Sequence, residues 1–172
     1  MDTSQLIIDD LTPDDWQAVR AIYADGIATR IATLETSTPE WDVWDAKFLP
    51  SPRLAARLGD ALVGWATLSR VSPRPAYSGV AEVTIYIAEQ VRGHAIGTRL
   101  LPELVRQSEA AGYWTLRAAI FPANVASIRL HERCGFRVLG VQERVGHREG
   151  QWYDITLMER RSAVTGIASG LG

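Results

Sequence analysis

Apolar residues recur every three or four positions in some stretches of the chain and alternate with polar ones in others, which divides it into helices and strands. Leu6 to Asp9 predicts a short first strand. Thr12-Pro13-Asp14-Asp15 opens a helix, because Thr caps, Pro suits the first turn and the acids favour the dipole. Trp16, Val19, Ile22, Tyr23 and Ile27 follow at helical spacing. After a polar loop with Thr33-Leu34-Glu35-Thr36, Thr38-Pro39-Glu40 starts a second helix bearing Trp41, Trp44 and Phe48. Arg53 to Leu58 and Ala61 to Ser69 read as strands joined at Gly59-Asp60. Ser72 to Gly79 holds Pro73 and Pro75 and is a loop. Val80 to Ile87 alternates, with Glu82, Thr84 and Tyr86 on one face and Val83, Ile85 and Ile87 on the other. The next helix carries Ile96, Leu100, Leu101, Leu104 and Val105 on its apolar face and ends at Ala111-Gly112; Pro102 inside it predicts a bend. Thr115 to Ile120 is a strand, Asn124 to Cys134 a short helix ended by Gly135, and Phe136 to Gln142 and Gln151 to Met158 are closing strands.

The order β α α β β β α β α β β predicts an α/β (α+β) architecture. Runs of neighbouring strands make the central sheet mixed and mostly antiparallel, flanked by helices, and Val80 to Ile120 supplies one parallel strand–loop–helix–strand crossover. Residues 1–161 form this single domain, and 162–172, small, Gly-bearing and aperiodic, read as a flexible C-terminal tail.

Composition narrows the function classes. A chain of 172 residues, 47% hydrophobic and 22% charged, fits one globular domain and excludes whole-chain disorder. Its 18 Lys and Arg against 20 Asp and Glu leave a net charge of −2, which argues against nucleic acid as a partner. No stretch approaches the roughly 18 apolar residues of a membrane span, and Met1 to Asp10 lacks the basic start of a signal peptide. Cys134 is the one cysteine, so no intramolecular disulfide forms, a Cys-rich zinc site is excluded, and a reducing cytoplasm is the expected setting. No metal is expected.

Chemistry concentrates in two segments. Arg92-Gly93-His94-Ala95-Ile96-Gly97-Thr98 joins a strand to a helix, where free N–H groups and the positive end of the helix dipole make an anion site. Small residues at 93, 95 and 97 let the backbone approach a pyrophosphate. The segment is neither a Walker sequence nor the dinucleotide Gly-x-Gly-x-x-Gly. Arg92 to Gly97 resembles the Arg/Gln-x-x-Gly-x-Gly/Ala signature of the GNAT acyltransferase superfamily, with Ala95 where Gly is usual. Asn124-Val125-Ala126-Ser127, followed by His131, Glu132 and Gly135-Phe136, resembles a second signature of that superfamily. Thr33-Leu34-Glu35, Arg74-x-x-Tyr77, Glu82 to Ile87 and Gly146 to Asp154 bring the resemblance closest to its phosphinothricin and methionine sulfoximine acetyltransferase group, with His147 and Arg148 replacing the usual Phe and Lys.

The resemblance implies a GNAT fold and acetyl-CoA as co-substrate. It assigns Arg92, Gly93, His94, Ala95, Ile96, Gly97 and Thr98 to the pyrophosphate, with Asn124 and Ser127 beside them. It assigns an oxyanion donor to the backbone of Ile85, Tyr86 and Ile87. Glu35, Arg74, Tyr77 and Glu82 would bind the substrate, an amino acid or amino acid analogue such as phosphinothricin, methionine sulfoximine or methionine sulfone. The family commonly forms homodimers. From pattern alone Glu82 reads equally as an exposed strand carboxylate or as a base raised by partial burial, and His131 as a satisfied histidine. Their family positions make both catalytic, and which is base and which acid stays open. The six tryptophans read as core or interface, and Cys134 as packing rather than a nucleophile. The rival functions are acetylation of a peptide or protein N-terminus or another amine, and a catalytically silent CoA-binding protein.

Overall fold

The computed structural model describes residues 5–167. Its strands are β1 (Leu6–Asp10), β2 (Arg53–Leu58), β3 (Ala61–Arg70), β4 (Val80–Ile87), β5 (Thr115–Ile120), β6 (Arg137–Arg148) and β7 (Gln151–Arg161). Its helices are α1 (Trp16–Ala28), α2 (Trp41–Lys47), α3 (Gly97–Ala110) and α4 (Val125–Arg133). The strands form one seven-stranded sheet in the order β1-β2-β3-β4-β5-β7-β6, antiparallel throughout except between β4 and β5.

Local chemistry explains most element ends. Thr12 and Asp15 form a capping box, with the Thr12 N–H donating to Asp15 Oδ2 at 2.9 Å, and a turn of 3-10 helix over Pro13–Asp15 leads into α1. The Arg57 guanidinium grips Asp15 at 2.8 Å and Asp9 at 2.9 Å, tying the start of α1 to β2, and this pairing holds the Asp15 carboxyl below the usual range. α3 runs continuously through Pro102.

Strand β3 explains the layering. Val63 to Leu68 are all buried because helices cover both faces. Trp65 meets Tyr23 of α1 at a 5.8 Å ring separation, while a Cβ on its neighbour Gly64 would lie 3.6 Å from Leu100 of α3, so the two helices lie on opposite faces. Across the β3–β4 register Trp65 opposes Tyr86 and Gly64 opposes Ile87. Glu82, Thr84 and Tyr86 therefore share the α1 side, as their alternation predicts.

The last two strands run past their predicted ends, β6 to Arg148 and β7 to Arg161. Most of β6 is exposed on both faces, so no in–out alternation marks it in the sequence. After β7, Ser162 is buried, and the Arg161 guanidinium donates to the Trp114 and Thr165 carbonyls at 2.8 and 2.9 Å. Residues 162–167 thus pack against the body, and 168–172 of the expected tail lie outside the described residues.

Gly26 of α1 sits directly over the Tyr86 ring, which stacks on Trp65 with ring centroids 5.0 Å apart. A methyl at position 26 would enter the space of that ring. Gly26→Ala is expected to destabilise the protein by about 1–3 kcal/mol despite the better helix propensity of Ala, as overpacking does. Denaturant unfolding measures this, and an unchanged midpoint would show that α1 can lift off the ring.

Candidate active site

The site begins with a break in the sheet. β4 and β5 pair only at their first residues, Val80 with Thr115, Ala81 with Leu116 and Glu82 with Arg117. Beyond Glu82, β4 follows β3 as far as Ile87, and β5 follows β7 to Ile120. The strands part, and the facing edges keep backbone N–H and C=O groups that no strand takes up. A cavity of about 320 Å³ opens at this parting, lined by Glu82 to Tyr86 of β4, Ala118 to Phe121, and Asn124, Ser127 and His131 around α4. The loop residues Thr33 and Leu34, with Lys47 at the end of α2, close another side.

Glu82 is half-buried at the point where the strands separate. Burial pushes its carboxyl above the usual carboxylate range, while the charges of Arg117 and Lys47 act in the opposite sense. His131 is 2% exposed. Its Nδ1 lies 2.8 Å from the Ser127 carbonyl oxygen, which can only accept, so Nδ1 carries the hydrogen. Nε2 is then a bare lone pair, and it is buried without a hydrogen-bond partner. Burial holds the imidazole below its ordinary value and therefore neutral. A buried acceptor in a residue that lines the cavity is suited to taking a proton from a bound molecule.

The turn before α3 is shaped for an anion. Gly93 and Ala95 both take left-handed conformations, with φ of 80° and 62°. Such turns, followed by the first amides of a helix, which have no acceptor of their own, form a concave row of N–H donors. A Cβ at Gly93 would meet no atom within 4 Å, so this side of the turn is open to a ligand. The Arg92 Nε donates to the Ile87 carbonyl at 3.2 Å, fastening the turn to β4, and Thr98 Oγ1 donates to the Ala95 carbonyl at 2.6 Å. His94 is exposed. Gly97 also meets a packing demand: its Cβ would lie 2.9 Å from Leu130 Cδ2, so its smallness lets α3 meet α4. A pyrophosphate fits this turn, and the parting strands leave room for a thioester chain beside β4.

The remaining predicted residues divide. Asn124 Oδ1 accepts the Ser127 N–H at 3.2 Å and Asn124 Nδ2 donates to the Ile31 carbonyl at 3.3 Å, so Asn124 both caps α4 and ties down the loop. Tyr86 turns its ring into the core against Tyr23 and Trp65. Glu35 stands at the border of a second cleft of about 490 Å³, with Arg30, Thr38 and Arg148, and holds Lys47 at 3.3 Å. Arg74 and Tyr77 are not brought to the cavity. Both are exposed on the turn before β4, the guanidinium 5.6 Å from the Tyr77 ring centre. Two residues that line or shape the cavity escape a reading by pattern. Lys47 gains its place through the tertiary contact with Glu35. Arg148, 6% exposed, donates to the Thr33 and Arg30 carbonyls at 2.8 and 3.0 Å and to the Tyr153 hydroxyl at 3.1 Å, clamping the loop that forms one wall.

Known proteins resemble the chain in sequence and in fold. The sequence matches the Acetyltransferase (GNAT) family over residues 16–136. It is 36% identical over 153 residues to the phosphinothricin N-acetyltransferase of Alcaligenes faecalis, covering 86% of this chain and 78% of that protein. It is 29% identical over 151 residues to an L-methionine sulfoximine/L-methionine sulfone acetyltransferase of Pseudomonas aeruginosa, covering 84% of this chain and 88% of the relative. The crystal structure of a GNAT superfamily phosphinothricin acetyltransferase from Sinorhizobium meliloti in complex with acetyl-CoA aligns with a TM-score of 0.84 at 27% identity, over 94% of this chain and 91% of that one.

The left-handed Ala95 and the packed Gly97 separate strain from contact in the turn. Ala95→Gly removes a steric conflict and is expected to raise stability by up to about 1 kcal/mol with acetyl-CoA affinity unchanged. Gly97→Val drives a branched side chain into Leu130 and is expected to cost about 1–3 kcal/mol of stability along with affinity. Calorimetric titration with acetyl-CoA and denaturant unfolding read both; a Gly97→Val protein of wild-type stability would refute the packing role.

Proposed function

The chain belongs to the acetyltransferase (GNAT) family, and on that premise we propose that it transfers the acetyl group of acetyl-CoA to the α-amino group of a small amino acid analogue. Phosphinothricin, methionine sulfoximine and methionine sulfone are the candidate acceptors. The observation that carries the reading is the cavity at the parting of β4 and β5, which Glu82 and His131 both line. The names of the relatives supply the substrate class.

Acetyl-CoA supplies the acetyl group as a thioester, with its pyrophosphate held by the turn over residues 93–98 and by Arg92. An α-ammonium must lose one proton before it can attack, and Glu82, made a stronger base by burial, takes that proton and releases it to solvent. The nitrogen becomes acidic as its bond to the acetyl carbon forms. The bare Nε2 of His131 accepts this second proton and returns it to the sulfur as the carbon–sulfur bond breaks. Backbone N–H groups along Ile85–Ile87 stabilise the negative charge that develops on the thioester oxygen. The products are the N-acetyl amino acid, CoA thiol and one released proton. Because His131 is neutral in the resting enzyme, it begins as the acceptor and becomes a donor only within the cycle.

The same reading has the enzyme working in the cytoplasm as a homodimer. Cys134 is the chain's one cysteine. Edge strand β6 exposes Val138, Leu139, Val141 and Val145, with Trp152 of β7 61% exposed, an apolar strip that a second copy would cover. Among the described residues no helix is long and apolar enough to cross a membrane.

Turnover across an amine panel, followed by CoA thiol release, tests the substrate class; preference for peptide N-termini over methionine sulfone and phosphinothricin would replace it with the peptide reading. Glu82→Gln and His131→Phe are each expected to lower kcat by about 10²- to 10⁴-fold. In the wild type, kcat/KM should fall as pH drops through a Glu82 pKa raised above the usual carboxylate range by burial, and Glu82→Gln should abolish that limb. A folded-state pKa above the unfolded one means that the ionised carboxylate costs stability. That cost is present above the folded pKa and disappears as the pH falls below the unfolded value. Glu82→Gln should therefore melt at or above the wild-type temperature at pH 8, and a large drop would make Glu82 structural.

A further inference from the structure

A row of charges crosses the sheet where β4 and β5 part. At the last rung of their pairing Glu82 lies opposite Arg117, Arg117 lies opposite Glu159 of β7, and Glu159 lies opposite Arg137 of β6. Residues paired across a ladder share a face of the sheet, so carboxylate and guanidinium alternate over four neighbouring strands. On the other side of Glu82 the row stops at Ser69 of β3, which carries no charge. Arg137 grips the Glu159 carboxylate at the far end. Arg117 is exposed, and among the described residues it enters no ion pair and donates no hydrogen bond. Its charge still acts on Glu82 against the effect of burial, more strongly than that of Lys47.

Glu82 faces no other charge from the elements around it. Lys47 reaches it from the end of α2, and the loop contributes Thr33 and Leu34. Tyr23 of α1, Tyr86 of β4 and His131 of α4 line the same cavity and are neutral, since burial works against the charged form of each. The base therefore meets a conflict. A carboxylate that takes a proton from an ammonium must be ionised when the ammonium arrives, and burial disfavours that form. A guanidinium bonded to it would restore the charge but would occupy the oxygens that receive the proton. A cation on the next strand, short of bonding distance, supplies the charge and leaves the oxygens free.

Resting on the base role proposed for Glu82, we infer that Arg117 is a positioning residue for it, an unbonded cation on the adjacent strand that keeps the carboxylate ionised and open to the ammonium of the acceptor. Glu159 completes the arrangement: engaged by Arg137, it does not draw the Arg117 charge away from the base.

The acid limb of kcat/KM for methionine sulfone tests this. Arg117→Gln is expected to move the limb to higher pH, so that at a pH on the limb kcat/KM relative to its plateau falls about two- to fivefold, the factor that a partly exposed pair of charges is worth. Arg117→Lys should restore the wild-type limb, because charge and not a hydrogen bond is at work. Glu159→Gln disturbs the same row without removing the cation and should not raise the limb. High salt screens an exposed charge, so it should raise the limb of the wild type more than that of Arg117→Gln. Carbon-13 NMR titration of the Glu82 carboxyl should show the same upward displacement in Arg117→Gln with no acceptor present. A limb and a carboxyl titration that stay in place in Arg117→Gln, or a displaced limb that Arg117→Lys fails to restore, overturn the role of Arg117 and leave Glu82 as base. A limb that survives Glu82→Gln overturns the base role and this inference with it. If methionine sulfone is not turned over, the proposed acceptor falls, and the NMR titration alone decides whether Arg117 sets the charge on Glu82.

Discussion

The site depends on β4 and β5 being parallel neighbours that stay paired only as far as Glu82 and Arg117. An intact sheet would satisfy the backbone along both strands and leave no room for a ligand. Here the neighbouring strands hold each one on a different course, β3 along β4 and β7 along β5. The opening is thus enforced by antiparallel pairing on either side rather than by loops. Free peptide groups on the facing edges want hydrogen bonds, and an extended thioester chain running beside β4 can supply them. The base candidate stands at the apex of this opening, where it is half-buried without a fixed partner, a setting that raises a carboxyl while leaving it reachable.

Two kinds of orphaned group stand at the two ends of the β4–α3–β5–α4 segment. The turn before α3 presents donors that lack acceptors, and His131 presents an acceptor that lacks a donor. In a structural region either would be a cost with nothing set against it. Each is the kind of unsatisfied group that a bound ligand can complete. The tautomer of His131 adds direction. Because the Ser127 carbonyl claims the hydrogen on Nδ1, the ring can only begin as a proton acceptor at Nε2. Under the proposed function this gives different parts to two groups that the sequence offers interchangeably as acid and base.

How much of this was legible in the sequence follows from which contacts are local. The alternation of Glu82, Thr84 and Tyr86, the small residues ahead of α3 and the short helix from Asn124 all express themselves within a few positions, and each lies where the pattern puts it. The far ends of β6 and β7 do not, because a ribbon exposed on both faces has no periodic burial to write into its residues. Lys47 and Arg148 are invisible for another reason: each is an ordinary charged residue until the fold brings Glu35 or the Thr33 carbonyl to it. Gly97 carries a packing demand that the sequence does not show. A small residue in a phosphate-type turn reads as room for a ligand, yet the space its missing Cβ leaves is filled by Leu130.

That close approach has a mechanical consequence. Gly97 opens α3 and belongs to the anion-binding turn, while Leu130 is the residue before His131 on α4. With no side chain on Gly97, the turn packs directly on the helix that carries His131. Asn124 extends the coupling in the other direction, since it caps α4 with one end of its amide and holds the Ile31 carbonyl with the other. Arg148 clamps the same loop at Arg30 and Thr33. The turn before α3, helix α4 and the loop from Arg30 to Thr33 are therefore joined by direct contacts in series. Under the proposed function, alignment of Nε2 with the cofactor rests on packing between α3 and α4 rather than on the half-exposed side chains at the mouth.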